Sequence, residues 1–161
     1  MSRTLPRTPI AELVAGEHAR IEGIARRLHQ ETSAPFSGRS CLAAHSYIFD
    51  HAPGGGLGQR HDAVVPFVVE DDTGSIALVV GTHVELQLAV FLIDDAHMHA
   101  IGASIIRRET RALGGGVGPR YEHRLDFDTR VSVSGAVLNV EGGGLRLAGT
   151  QRWPLVIVST S

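Results

Sequence analysis

Lysine is missing from this 161-residue chain, and its fifteen basic residues are all arginine. A P-loop needs a lysine on the phosphates, and pyridoxal-phosphate chemistry needs one for its Schiff base, so neither is open to it. A single cysteine, Cys41, leaves no internal disulfide and no cysteine-rich zinc site. Aromatic residues are only 5% of the chain, and Phe36, Phe67, Phe91 and Trp153 all stand in apolar surroundings. Few are left to stack against the bases of a single-stranded nucleic acid. The formal net charge of −2 supplies no field that would draw the molecule onto nucleic acid or an anionic membrane. Long apolar runs are lacking too. The longest, around 89–93 and 155–158, have the length of strands, far below the ~18–20 residues that span a bilayer. No apolar stretch follows Met1–Pro6, so no signal peptide is expected, and the cytoplasm is the default location. Arginine-only usage beside abundant Ala, Gly and Val points to a GC-rich, bacterial genome.

What is present has the pattern of a β protein. Residues 1–9 are expected to form a loose lead-in, and 10–161 a single domain. Ile10–Val14 has room for one helical turn before Gly16. Ala19, Ile21 and Gly23 then alternate with Arg20 and Glu22, the period-two pattern of a half-buried strand. Ser40–Asp50 reads as a second strand with Cys41, Ala43, Tyr47 and Phe49 on one face. The runs 64–69 and 76–80 flank Glu70-Asp71-Asp72-Thr73-Gly74-Ser75, the clearest hairpin signal. There Asp hydrogen-bonds the turn and Gly74 is expected to take a positive φ. Val84, Leu86, Leu88 and Val90 alternate in a further strand. The helix-like spacing of Met98, Ile101 and Ile105 predicts one helix within 96–113. Strands return from Val131, with a change of phase over Gly135–Val140 that suggests a bulge. The turn Glu141–Gly144 and a buried last strand at Leu155–Val158 follow. The expected fold is mainly β, a small OB-like barrel or sandwich with one helix in the middle.

Ser37-Gly38-Arg39 sets a hydroxyl and a guanidinium beside a glycine that tolerates an unusual backbone angle. Two readings are open. Arg39 grips a phosphate or carboxylate bidentately, or the tripeptide is a strand-entry turn with Arg39 paired to Asp71 or Glu122. Together with Thr73 of the hairpin turn, the candidate binding residues are Ser37, Gly38, Arg39, Asp71, Thr73 and Glu122. Cys41 precedes His45 by four residues, which on a strand holds thiol and imidazole more than ~12 Å apart, too far for a catalytic dyad. In Asp94-Asp95-Ala96-His97-Met98-His99, an extended His-x-His would point both imidazoles one way, and Asp94 would complete a metal site. No third histidine stands at a recognisable spacing, so an exposed stretch without metal is expected. The loops at 54–58 and 114–118 lack Gly-x-Gly-x-x-Gly spacing and do not connect a strand to a helix, so they read as linkers. Arg107, Arg108, Arg111, Arg120 and Arg124 have acids interspersed among them. No catalytic group and no cofactor are expected.

Three segments taken together carry a resemblance: Ala34–Cys41 (APFSGRSC), Pro66–Ser75 (PFVVEDDTGS), and Tyr121–Leu125 leading into Arg130–Gly135. In order and spacing they resemble the GIDE-type, or "beside a membrane", domain of mitochondrial RING ubiquitin ligases and bacterial relatives. The similarity runs from about Glu17 to Ile157. It implies a β domain for interaction or regulation whose partner is another protein, in the family's manner one associated with a membrane. The RING and the flanking transmembrane helices of the family are not in this sequence, so ligase activity is not implied. Asp126-Phe127-Asp128 replaces the usual Pro-Gly-like turn before the Val-x-Val-x-Gly strand. Two other functions compete with a protein-binding module. One is a barrel that binds a small ligand or single-stranded nucleic acid through Arg39, Arg107, Arg108 and Arg111. The other is a metal-dependent hydrolase built on Asp94–His99.

Overall fold

A computed structural model describes residues 4–50, 57–93 and 117–159. The expected helix within 96–113, the glycine loops at 54–56 and 114–116, and the Asp94–His99 segment lie outside these residues. Among the described residues there are thirteen strands and one 3-10 turn, Ile10–Glu12. In chain order the strands begin with β1 His18–Arg27, β2 Thr32–Ser33, β3 Ser40–Cys41, β4 Ala43–Asp50 and β5 Leu57–Val64. They continue with β6 Phe67–Glu70, β7 Ser75–Val79, β8 Val84–Gln87 and β9 Ala89–Leu92. The last four are β10 Val117–Leu125, β11 Arg130–Val140, β12 Gly144–Ala148 and β13 Leu155–Val158. No helix of the described residues is long and apolar enough to cross a membrane.

Where the sequence reads as one domain over 10–161, the described residues fall into two compact units. The first, within 1–30, 65–88 and 126–161, is a closed barrel. Its ring runs β1-β6-β7-β12-β11 and back to β1, with every pairing antiparallel except β7 with β12. Numbered along the chain, the ring order is first, second, third, fifth, fourth, the Greek-key connectivity of an OB-type barrel. β13 adds to β11 and carries the edge strand β8 in parallel. Strand alternation fills the interior. Ala19, Ile21 and Ala25 of β1 are buried, as are Phe67 and Val69 of β6, Ile76 and Leu78 of β7, and Val131 and Val133 of β11. Their neighbours, such as Arg20, Glu22, Val68 and Ala77, face outward and are half-exposed.

Residues 4–9, expected to be loose, are tied to β1. Thr8 N–H donates to the Arg20 carbonyl at 2.8 Å, and Arg7 forms an isolated parallel bridge with Arg20. The phase change expected as a bulge over Gly135–Val140 has another cause. β11 keeps continuous register with β1 and with β12, but its outer partner changes from β13 at Ser132–Ser134 to β12 at Ala136–Val140. The hairpin forms where expected, yet Gly74 is not among the residues with positive φ. Its N–H instead donates to the Asp71 carboxylate at 3.0 Å.

The second unit, within 31–64 and 89–125, leaves the barrel twice: between its first and second strands, and between its third and fourth. Its antiparallel sheet has the order β5-β4-β10-β9, beside the two-stranded β2-β3. The single strand expected over Ser40–Asp50 is divided at Leu42, whose N–H donates to the Leu125 carbonyl at 2.9 Å. Cys41, Leu42, Ala43, Ala44 and His45 are all buried, so no alternation holds there. The alternating run 84–90 is likewise split at Leu88 between β8 and β9, which belong to different sheets.

Candidate functional site

Four of the sequence-selected residues come together in the second unit. Ala34–Arg39 is a tight turn closed by Ala34 N–H to the Arg39 carbonyl at 2.8 Å and Gly38 N–H to the Ala34 carbonyl at 2.9 Å. Gly38 sits at φ +70, a conformation that side chains resist. Such a turn aims several N–H groups at one point, and here the point is Glu122 of β10. Glu122 Oε1 accepts from Phe36 N at 3.0 Å and from Ser37 N at 3.1 Å. Its Oε2 accepts from Ser37 Oγ at 2.6 Å and from Arg124 Nη1 at 2.9 Å.

This carboxylate is 0% exposed, and the Arg124 side chain is 3% exposed. Burying such a charge costs several kcal/mol unless hydrogen bonds and a counter-charge replace the lost water. Both are supplied. Arg124 in turn lies with its guanidinium carbon 4.1 Å from the centre of the Phe91 ring, a cation–π contact on a neighbouring strand. Glu122 and Arg124 are two apart on a strand and therefore share one face.

The expected pairing of Arg39 with Glu122 or Asp71 is not what forms. Glu122 is engaged by Arg124 and the turn, and Asp71 is held within the barrel unit by a turn of its own. Arg39 is exposed, and its backbone N–H donates to Ser37 Oγ at 3.3 Å. Arg124, one of the arginines that stand among interspersed acids in the sequence, is the buried partner. The signal that marks it is the Glu-x-Arg spacing together with flanking apolar residues.

Asp71 and Thr73 make a second, separate cluster. Asp71 Oδ1 accepts from Thr73 N at 2.8 Å, Thr73 Oγ1 at 2.6 Å and Gly74 N at 3.0 Å, while Oδ2 accepts from Ile10 N at 3.0 Å. Thr73 Oγ1 also accepts from Ala11 N at 3.0 Å. The pair thus fastens the 3-10 turn at Ile10 to the β6–β7 hairpin. Partial burial pushes the Asp71 carboxyl upward, but the Thr73 hydroxyl and three backbone N–H groups outweigh it, and the net shift is below 3.8. A depressed carboxyl adds stability that is fully present above pH 3.8 and is lost as pH falls through the lower folded value. Asp71→Ala is expected to cost about 1–2 kcal/mol, the size of a lost capping residue. It should also flatten the acid limb of a urea-stability profile below that pH.

Cys41 is buried beside Ala34 and Ala44. His45 instead faces His123 across β4 and β10, with ring centres 4.2 Å apart. Among the described residues no group of three His, Cys, Asp or Glu is arranged to hold a metal ion. His97, His99, Asp94, Arg107, Arg108 and Arg111 lie outside those residues.

OB-type barrels commonly take ligands on the outer face of their second and third strands. Here that face presents Val68, Glu70, Ser75, Ala77 and Val79, and it continues across Arg146 of β12 to Leu138 and Val140 of β11. Val79 is 44% exposed, and Leu138 and Val140 are each 40% exposed. The molecule is thus an OB-type β-barrel protein with a second β unit inserted into it. No protein-family model, curated protein or solved structure matches the chain.

Proposed function

We propose that the chain is a non-enzymatic interaction module of the GIDE-like class that holds another protein against its barrel. The observation that carries this reading is the set of exposed aliphatic side chains on the outside of the barrel, Val79 on the third strand of the ring, where OB-type barrels take ligands, and Leu138 and Val140 on the fourth, beyond Arg146. An aliphatic sheet surface suits a protein partner. A single-stranded nucleic acid needs aromatic platforms and a basic track, and the side chains of this face include no aromatic ring. The polar residues selected from the sequence also favour the reading, because Glu122, Ser37, Asp71 and Thr73 are spent on holding turns. A membrane-associated partner, a bacterial source and a cytoplasmic setting belong to the same proposal.

The test compares the wild-type chain with Leu138→Asp/Val140→Asp, both exposed positions, in affinity capture from the source lysate. A partner retained about 10-fold better by the wild type is expected, as for loss of a central apolar contact. Identical capture by both proteins would refute the assignment of this face. Salt-dependent retention of a single-stranded oligonucleotide, unaffected by the double substitution, would favour the nucleic-acid reading instead.

A further inference from the structure

A cleft of about 460 Å3 opens on a different outer face of the barrel unit. Its size is within the roughly 300–1,000 Å3 of small-molecule sites. The floor is made by the cross-strand pairs Ser134–Val156 and Ser132–Val158 of β11 and β13. His18 and Arg20 of β1 bound it on one side, Gln87 of β8 on the other, and Thr4 and Leu5 stand at the rim.

The polar groups of this cleft are only partly spent. Arg20 Nε donates to the Leu5 carbonyl at 2.6 Å, and its Nη1 donates to Glu22 and to Ser132 Oγ. Its Nη2 makes no hydrogen bond among the described residues, nor does the Ser134 hydroxyl or the Gln87 amide. Burial holds the His18 imidazole below its ordinary range, which keeps it neutral with one donor to offer. Arg20 is the one charged residue that lines the cleft among the described residues, and no carboxylate does. Donors therefore surround a floor of two serines and two valines, beside a guanidinium whose Nη1 is paired with Glu22 and whose Nη2 is left to a ligand.

We propose that this cleft binds a small aliphatic monocarboxylate. Its carboxylate is received by Arg20 Nη2 and Ser134, and its chain lies on Val156 and Val158. The inference does not depend on the protein-binding role, which uses another face of the barrel. A dicarboxylate does not fit, because the one guanidinium of the cleft has only its Nη2 left to offer. A neutral amide keeps the floor contacts but loses the charge-assisted hydrogen bonds, which are about twice as strong as neutral ones.

The single tryptophan supplies a reporter, since Trp153 stacks on His18 with ring centres 5.0 Å apart. Butyrate is expected to change Trp153 emission saturably, with a Kd on the order of 1 mM for so small a ligand. The same titration should move the methyl resonances of Val156 and Val158. Gln87→Glu, at an exposed position where folding is not at risk, places a carboxylate in the cleft and should weaken butyrate about 10-fold. Butyramide should bind more weakly than butyrate. The proposal is overturned by equal binding of butyrate to wild type and Gln87→Glu, or by equal binding of butyramide. Methyl shifts confined to other residues, or no saturable response up to about 50 mM, would overturn it as well.

Discussion

Replacing Glu122 with alanine should destabilise the protein by about 3–5 kcal/mol, the range seen when one member of a buried ion pair is removed. The substitution strips the carboxylate from the Arg124 guanidinium, whose side chain is 3% exposed. It also deprives Phe36 N, Ser37 N and Ser37 Oγ of their common acceptor. Each orphaned buried donor costs about 1–3 kcal/mol where water cannot reach it. Glu122→Gln separates the two contributions. Its amide oxygen can still accept both N–H groups of the turn, but its NH2 then confronts Arg124 Nη1, donor against donor. The single substitution should therefore remain costly, and Glu122→Gln/Arg124→Met should recover most of the loss, because the buried charge goes with its partner. Urea denaturation of wild type, Glu122→Gln, Arg124→Met and the double variant completes the cycle. A Glu122→Ala protein within about 1 kcal/mol of wild type, or no recovery in the double variant, would show that the carboxylate does not organise the turn.

The features legible in the sequence were those set by neighbours along the chain. Alternation over His18–Arg27 marked β1 and its buried face, and the run from Phe67 to Val79 marked a hairpin whose turn is built on Asp71. Gly38 was recognised as a position for an unusual φ, and its turn does contain Ser37 under the Glu122 carboxylate. What the pattern did not disclose depends on contacts between distant segments. Ser40–Asp50 looks like one strand, but the Leu42 N–H is claimed by Leu125, and this divides it. Leu88 has the right parity for a continuous strand, yet the chain changes sheets there. Arg39 and Arg124 are chemically alike in the sequence, and only the meeting of β10 with the 34–39 turn decides which of them Glu122 takes. The parallel pairing of β7 with β12, which makes the barrel OB-like, joins strands separated by the whole of β8–β11. No local spacing encodes it.

Barrel closure also predicts the second large effect, at Gly23. β1 pairs with β11 from His18 to Ile24, and only from Ile24 does it also pair with β6, starting opposite Glu70. Gly23 thus stands next to Ile24, the residue paired on both edges of β1, where the ring is sealed. A Cβ at this position would run into the Glu70 carbonyl oxygen, and would lie 2.8 Å from its carbon and 3.1 Å from Val69 Cγ1. Two of those atoms are backbone of the paired strand, so no rotamer change relieves the clash. Either β6 moves away or the seam opens. Gly23→Ala is therefore expected to cost about 3 kcal/mol, at the upper end for overpacking in a tight core. Amides of β6 should lose protection from hydrogen exchange earlier than those of β11, because the β1–β6 seam yields first. Gly81→Ala is the control: a Cβ there meets nothing within 4 Å, and its φ is not positive. Its stability should stay within about 0.5 kcal/mol of wild type. If Gly23→Ala were equally silent in urea denaturation, β1 and β6 would not approach as closely as the closed ring requires.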